Sequence, residues 1–203
     1  RDSDKISKCM IKMLNAFQEE KGMTFVTKHF PGLGETSGDT HEGTVISKAK
    51  SMDDLKNTLA PYIASIEYVN KMGIENSYSI LASHAKFEVI DRTNITTVSK
   101  PILHDLLREK LNFKGVVLSD AMWMGDYGHY SISELMVVYL KSVLAGMDLL
   151  MISGKPFAPA VKNFRDVYDN TLPEEQKKRI ASDLNMEWSQ VRELFIERLQ
   201  ISV

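Results

Sequence analysis

The residues able to do chemistry fall into four short stretches of this 203-residue chain. Lys28-His29 comes first, then Asp39 and His41 with Thr40 between them, then Ser83-His84, then Ser119-Asp120. An imidazole, with an ordinary pKa of about 6.5, gives and takes protons near neutrality. A carboxylate beside it can hold the ring and steady its protonated form. A carboxylate can also serve as a nucleophile, and Lys and His supply directional donors for a neutral ligand. Each piece alone has a plainer reading. Asp120, after a strand, is a common cap for the helix that follows. Asp39 and His41 can be polar neighbours in a solvated loop, and His84 a satisfied, partly buried histidine. His104, inside a helix, and His129, in a polar loop, read as structural.

The elements that must position these groups alternate in type. From about Ser3 to Lys21, Ile6, Cys9, Met10, Met13, Leu14 and Phe17 recur at helical spacing, with Cys9 on the apolar face. Met23 to Thr27 reads as a strand and runs into the polar, Gly-rich stretch Lys28 to Gly43, whose Gly34, Gly38 and Gly43 predict a mobile loop. Asp53 to Met72 follows as a helix with an acidic start, which Pro61 should bend or break. Tyr78 to Ser83 is a second strand, followed by a long loop through Asp91 and Asn94. Ser99 then caps a helix with Pro101 in its first turn, running to about Leu111. Gly115 to Ser119 is a short apolar run, as in a strand buried on both faces. Ile132 to Ala145 is helical, Met147 to Ile152 is the fourth strand, and the chain from about Pro156 is helical, with a helix start at Leu172-Pro173-Glu174-Glu175. This order predicts parallel strands joined by right-handed crossovers. Lys28-His29, Ser83-His84, Ser119-Asp120 and Ser153 each follow a strand, so they share one rim, the binding face of α/β folds.

Composition excludes several classes. The formal net charge is -2, with Lys and Arg scattered, which gives no footprint for nucleic acid. No apolar stretch approaches the ~18 residues a membrane span needs. The single cysteine, Cys9, excludes an internal disulfide and a Cys-based metal site, and fits a reducing cytoplasm. The chain opens Arg-Asp-Ser-Asp with no apolar signal core, so the expectation is a segment removed upstream or a fragment.

The ordered series Lys28-His29-Phe30-Pro31-Gly32-Leu33-Gly34, Asp39-Thr40-His41, Leu81-Ala82-Ser83-His84 and Gly115-Val116-Val117-Leu118-Ser119-Asp120 resembles family 3 glycoside hydrolases of the β-N-acetylglucosaminidase (β-N-acetylhexosaminidase) branch. The likeness runs from about Phe25 to Ser153. It implies an α/β fold, a TIM (β/α)8 barrel, of which this chain would be the C-terminal half. That is one partial barrel domain over residues 1–203, four parallel β/α units with a helical segment from about 156. It further implies retaining hydrolysis of terminal β-N-acetylglucosamine, with Asp120 as nucleophile, His41 as general acid/base and Asp39 holding His41. Lys28, His29, His84 and Met122 would meet the substrate. Trp123 would be a sugar platform or a core aromatic. No metal or organic cofactor is implied. The substrate class would be small sugar conjugates such as peptidoglycan fragments, with a cytoplasmic setting favoured over a periplasmic or secreted one. A phosphorylase using phosphate in place of water, a non-catalytic carbohydrate-binding or assembly module, and another barrel enzyme on the same scaffold are the alternatives.

Two departures stand out. Leu33 and Glu35 replace a His and an Asp of the family's pattern, and nothing here matches the earlier strands, which bring an Asp and an Arg to the sugar. Four parallel strands leave two open edges and an apolar face. The expectation is therefore half of a longer enzyme, or copies that pair along the seam, and little or no activity in the chain alone.

Overall fold

In the computed structural model, which describes residues 2–19, 23–152 and 156–200, the strands are β1 (Phe25–Phe30), β2 (Thr36–Ser37), β3 (Ile46–Ser47), β4 (Tyr78–Ala82), β5 (Val116–Ala121) and β6 (Leu149–Met151). The helices are α1 (Ser3–Gln18), α2 (Lys56–Met72), α3 (Pro101–Lys110), α4 (Ile132–Ala145), α5 (Phe157–Tyr168), α6 (Glu174–Leu184) and α7 (Trp188–Gln200). The expected parallel sheet is present in the order β1-β4-β5-β6, while β2 and β3 form a small antiparallel hairpin.

Alternation along each strand decides which side chains face the helices. Thr27, Ile80, Val117 and Ser119 are buried, packed on the helix side. There Leu59, Ile66 and Val69 of α2 join Ile102, Leu103 and Leu107 of α3 in the main core. Val137 and Leu140 of α4 meet Val167, Ile180, Val191 and Phe195 of the last three helices in a second cluster. The other face of the sheet is open: Val26 is 44% exposed, Val116 45% and Leu149 55%. The run from Gly115 to Ser119 is thus covered on one side, not two, because the described helices all lie on one face.

Two bulges shape the rim of the sheet. The β1–β4 register slips between Lys28 and Phe30, and the β5–β6 register slips between Leu118 and Ala121. Each inserts a residue near the carboxyl end of a strand and re-aims the side chains there.

Several expectations need correction. Cys9 is exposed, not buried, because α1 packs on α2 along a narrow seam in which Leu14 is its buried residue. The helix expected from Asp53 starts at Lys56. Pro61 does not break it. It lies in the second turn, where the carbonyl left without a donor belongs to exposed Asn57 and can meet water. The first strand begins at Phe25 rather than Met23 and includes Lys28 and His29. The strand expected from Met147 to Ile152 is shorter, Leu149–Met151, and Ser153 lies outside the described residues. In α3 the bonds run from residue i to i+5, as from the Leu111 N–H to the Leu106 carbonyl at 2.9 Å. Its Arg108 reaches across to Asp148, before β6, which also takes the Val117 N–H at 2.8 Å and Arg198 of α7 at 2.9 Å. Gly115 permits the close approach of β5 to β4, since a Cβ there would lie 2.1 Å from the Tyr78 carbonyl oxygen.

Candidate active site

Asp120 sits within β5, on the open face and near its carboxyl end. One carboxylate oxygen accepts the Ala121 N–H at 2.8 Å, and the other faces His29 Nε2 at 3.4 Å. The bulge in β1 makes this meeting possible, because His29 is the inserted residue. Asp120 therefore caps nothing. The next long helix, α4, has its own capping box of Ser131 and Glu134. Partial burial pushes the His29 pKa down, and the Asp120 carboxylate pulls it the other way.

Asp39 and His41 lie at the tip of the β2–β3 hairpin. One Asp39 oxygen accepts both the His41 backbone N–H, at 2.9 Å, and ring Nδ1, at 2.7 Å. Those two bonds, the backbone one foremost, hold the Asp39 carboxyl below its ordinary range. The His41 ring keeps Nε2 turned away from Asp39 and is 74% exposed. It stands near enough to His29 for its charge to depress that ring's pKa further. The hairpin is tied at its base: Ser47 N–H donates to the Lys86 carbonyl and Lys86 N–H to the Val45 carbonyl, both at 2.9 Å. Nearer the tip, Thr44 bonds to Asp126 through its N–H, at 3.0 Å, and through its hydroxyl.

The other expected site residues divide. Lys28 is exposed near the end of β1 and Trp123 is 51% exposed just beyond β5. His84 is buried, with Nε2 donating to the Ala121 carbonyl at 3.0 Å and Nδ1 2.6 Å from the Thr97 hydroxyl. Burial lowers its pKa, and the Thr97 hydroxyl beside Nδ1 donates to the Ser83 carbonyl at 3.0 Å. His84 also borders a cavity of about 210 Å³ shared with Asn94, Tyr127 and Tyr130. Met122, expected at the substrate, is fully buried against Tyr127, Leu135 and Met136, so it supports the β5 loop from below and offers a ligand no surface. Leu33 packs against the main core, which suits an apolar residue there.

Two aspartates with structural roles escape a reading of the sequence. Asp91 gathers Thr93, Asn94 and Ser99 around its two oxygens and fixes the loop behind His84. Its Asp-x-Thr-Asn spacing is the signal that could have found it, since Asp side chains often bond backbone two and three residues on. Asp126 has no local signal, because its partner Thr44 is 82 residues away. Among the described residues no His, Cys, Asp and Glu group is arranged to hold a metal ion.

Residues 1–184 match the family described as Glycosyl hydrolase family 3 N terminal domain. A beta-hexosaminidase from Nitrosomonas eutropha is 33% identical over 136 residues, covering 66% of this chain and 36% of that protein. Another, from Mannheimia succiniciproducens, is 27% identical over 175 residues, covering 85% of this chain and 46% of that protein. A solved glycoside hydrolase family 3 beta-N-acetylglucosaminidase from Paenibacillus sp. superposes with a TM-score of 0.65 at 25% identity, over 91% of this chain and 34% of that one. The chain therefore spans less than half the length of these relatives, and its four-stranded sheet matches part of the family's barrel domain.

Proposed function

Because the chain belongs to glycosyl hydrolase family 3, we propose that it carries the nucleophile and the acid/base of a retaining β-N-acetylhexosaminidase. Asp120 attacks the anomeric carbon as the glycosidic C–O bond breaks, and protonated His41 gives its proton to the departing oxygen. Water then attacks the same carbon and passes a proton to His41, and the Asp120 carboxylate leaves. Asp39 holds the ring through both steps, as the aspartate does in hydrolase triads. His29 and Lys28 donate to sugar hydroxyls beside Asp120. No step requires a metal or an organic cofactor.

The observation that carries this reading is the placement of Asp120 on the open face beside His29, with the paired Asp39 and His41 on the adjoining hairpin. The substrate is terminal β-N-acetylglucosamine on a small conjugate, in line with the beta-hexosaminidase names of the relatives. The test is to complete the barrel with the unmatched segment of the Nitrosomonas relative and treat it with a slow fluorosugar of the N-acetylglucosamine series. Mass spectrometry should then find the sugar on Asp120, and the Asp120→Ala variant should take up none. A label on another carboxylate would reassign the nucleophile. No label at all, in a folded barrel that binds N-acetylglucosamine, would favour a binding module.

A further inference from the structure

We propose that Asp126 is a positioning residue: by clasping Thr44 it sets where the Asp39–His41 pair stands relative to Asp120. This rests on the hydrolase reading of the pair, although the clasp itself is a matter of geometry. Asp126 lies six residues past Asp120, in the turn that follows β5, and Thr44 lies three residues past His41. One Asp126 oxygen takes both the N–H and the hydroxyl of Thr44. The hairpin loop and the segment that follows β5 are thus joined by a two-pronged, charge-assisted bond, the stronger class of hydrogen bond.

Two glycines let the surfaces close. Gly125 has φ +59, and a Cβ there would lie 2.5 Å from the Thr40 carbonyl oxygen. A Cβ on Gly43 would lie 3.3 Å from the other Asp126 oxygen. Thr40, between Asp39 and His41, is itself buried. The contact therefore grips the loop on both sides of His41 and leaves the imidazole exposed. An exposed side chain on a glycine-containing loop would otherwise sample many positions, whereas proton transfer needs one within hydrogen-bond reach of the leaving oxygen. The bond from Asp39 fixes how the ring is turned. The bond from Asp126 fixes where the loop stands.

The test uses the 203-residue chain alone and requires no turnover. In Asp126→Ala, exchange of the Thr44 amide should quicken by about 10- to 100-fold, the loss expected of a bond to a charged group. Exchange within β4 and β5 should stay unchanged. The NMR titration midpoint of His29 should rise, because the charge of His41 no longer stands beside it. Asp126→Asn keeps an acceptor oxygen and should fall between. Unchanged Thr44 exchange or an unmoved His29 midpoint would overturn the proposal, and so would protection lost uniformly across the sheet. Should Asp126→Ala not fold, Asp126→Asn is read in its place, with the same two changes expected in the same directions at smaller size. Failure of fluorosugar labelling with these readouts intact would instead count against the hydrolase reading.

Discussion

At the scale of single residues, the proposed mechanism separates groups that would do chemistry from groups that hold them. Asp39 belongs to the second kind in the proposed mechanism. Replacing it by Asn in the completed barrel should slow hydrolysis by about 100-fold or more, measured as release of a chromogenic aglycone, with little change in substrate affinity. Asp91 is a holder of another sort. Bonds from Thr93, Asn94 and Ser99 outweigh its burial and bring its pKa from an ordinary 3.8 down to about 2. A carboxyl whose pKa falls on folding stabilises the native state above its unfolded value. That contribution should fade as pH drops from about 3.8 through about 2. Asp91→Ala should cost about 1–3 kcal/mol at neutral pH by leaving donors unpaired, and the variant's chemical denaturation midpoint should lose that acid dependence. Residues such as His29, His41 and Asp120 were recognisable as candidates in the sequence because their types and order carry a signal. Asp126 was not, since aspartate in a turn is common and its partner is remote in the chain.

At the scale of elements, legibility tracked the strength of the local pattern. The bounds of α4 could be read from the sequence because a capping box opens it and Gly146, in the left-handed region, closes it. The β2–β3 hairpin could not, because two-residue strands show no alternation to read. The bulges in β1 and β5 were equally silent, and they decide that His29 meets Asp120. The face assigned to Cys9 failed because helical spacing marks an apolar stripe without saying how much of it a neighbour covers. Along α3 the stripe is fully used: Leu107 is 0% exposed and lies between the helix and the sheet. Leu107→Ala should destabilise the chain by about 2–5 kcal/mol. Thermal melting should show a lower midpoint, while the Asp39–His41 pairing, monitored by NMR, should persist in the fraction still folded.

At the scale of the whole molecule, the sheet ends in β1 on one side and β6 on the other, with Val26, Leu149 and Met151 among its exposed apolar side chains. Such edges invite pairing with other strands. Light scattering should show the purified chain associating as its concentration rises, and a Val26→Lys, Leu149→Lys double variant should associate less. The same chain should hydrolyse a chromogenic β-N-acetylglucosaminide negligibly; turnover near that of a full-length relative would show that the missing contacts are dispensable. The parallel sheet was legible in the alternation of elements, whereas what lies over its open face is a property no local pattern encodes. Meanwhile the amino-terminal rim is fastened by Asp148, which holds Arg108 of α3, the β5 backbone and Arg198 of α7 together. A premature stop codon anywhere before Arg198 would take one rivet from the floor of the sheet. Its damage would surface as earlier unfolding, on the side of the molecule farthest from the proposed chemistry.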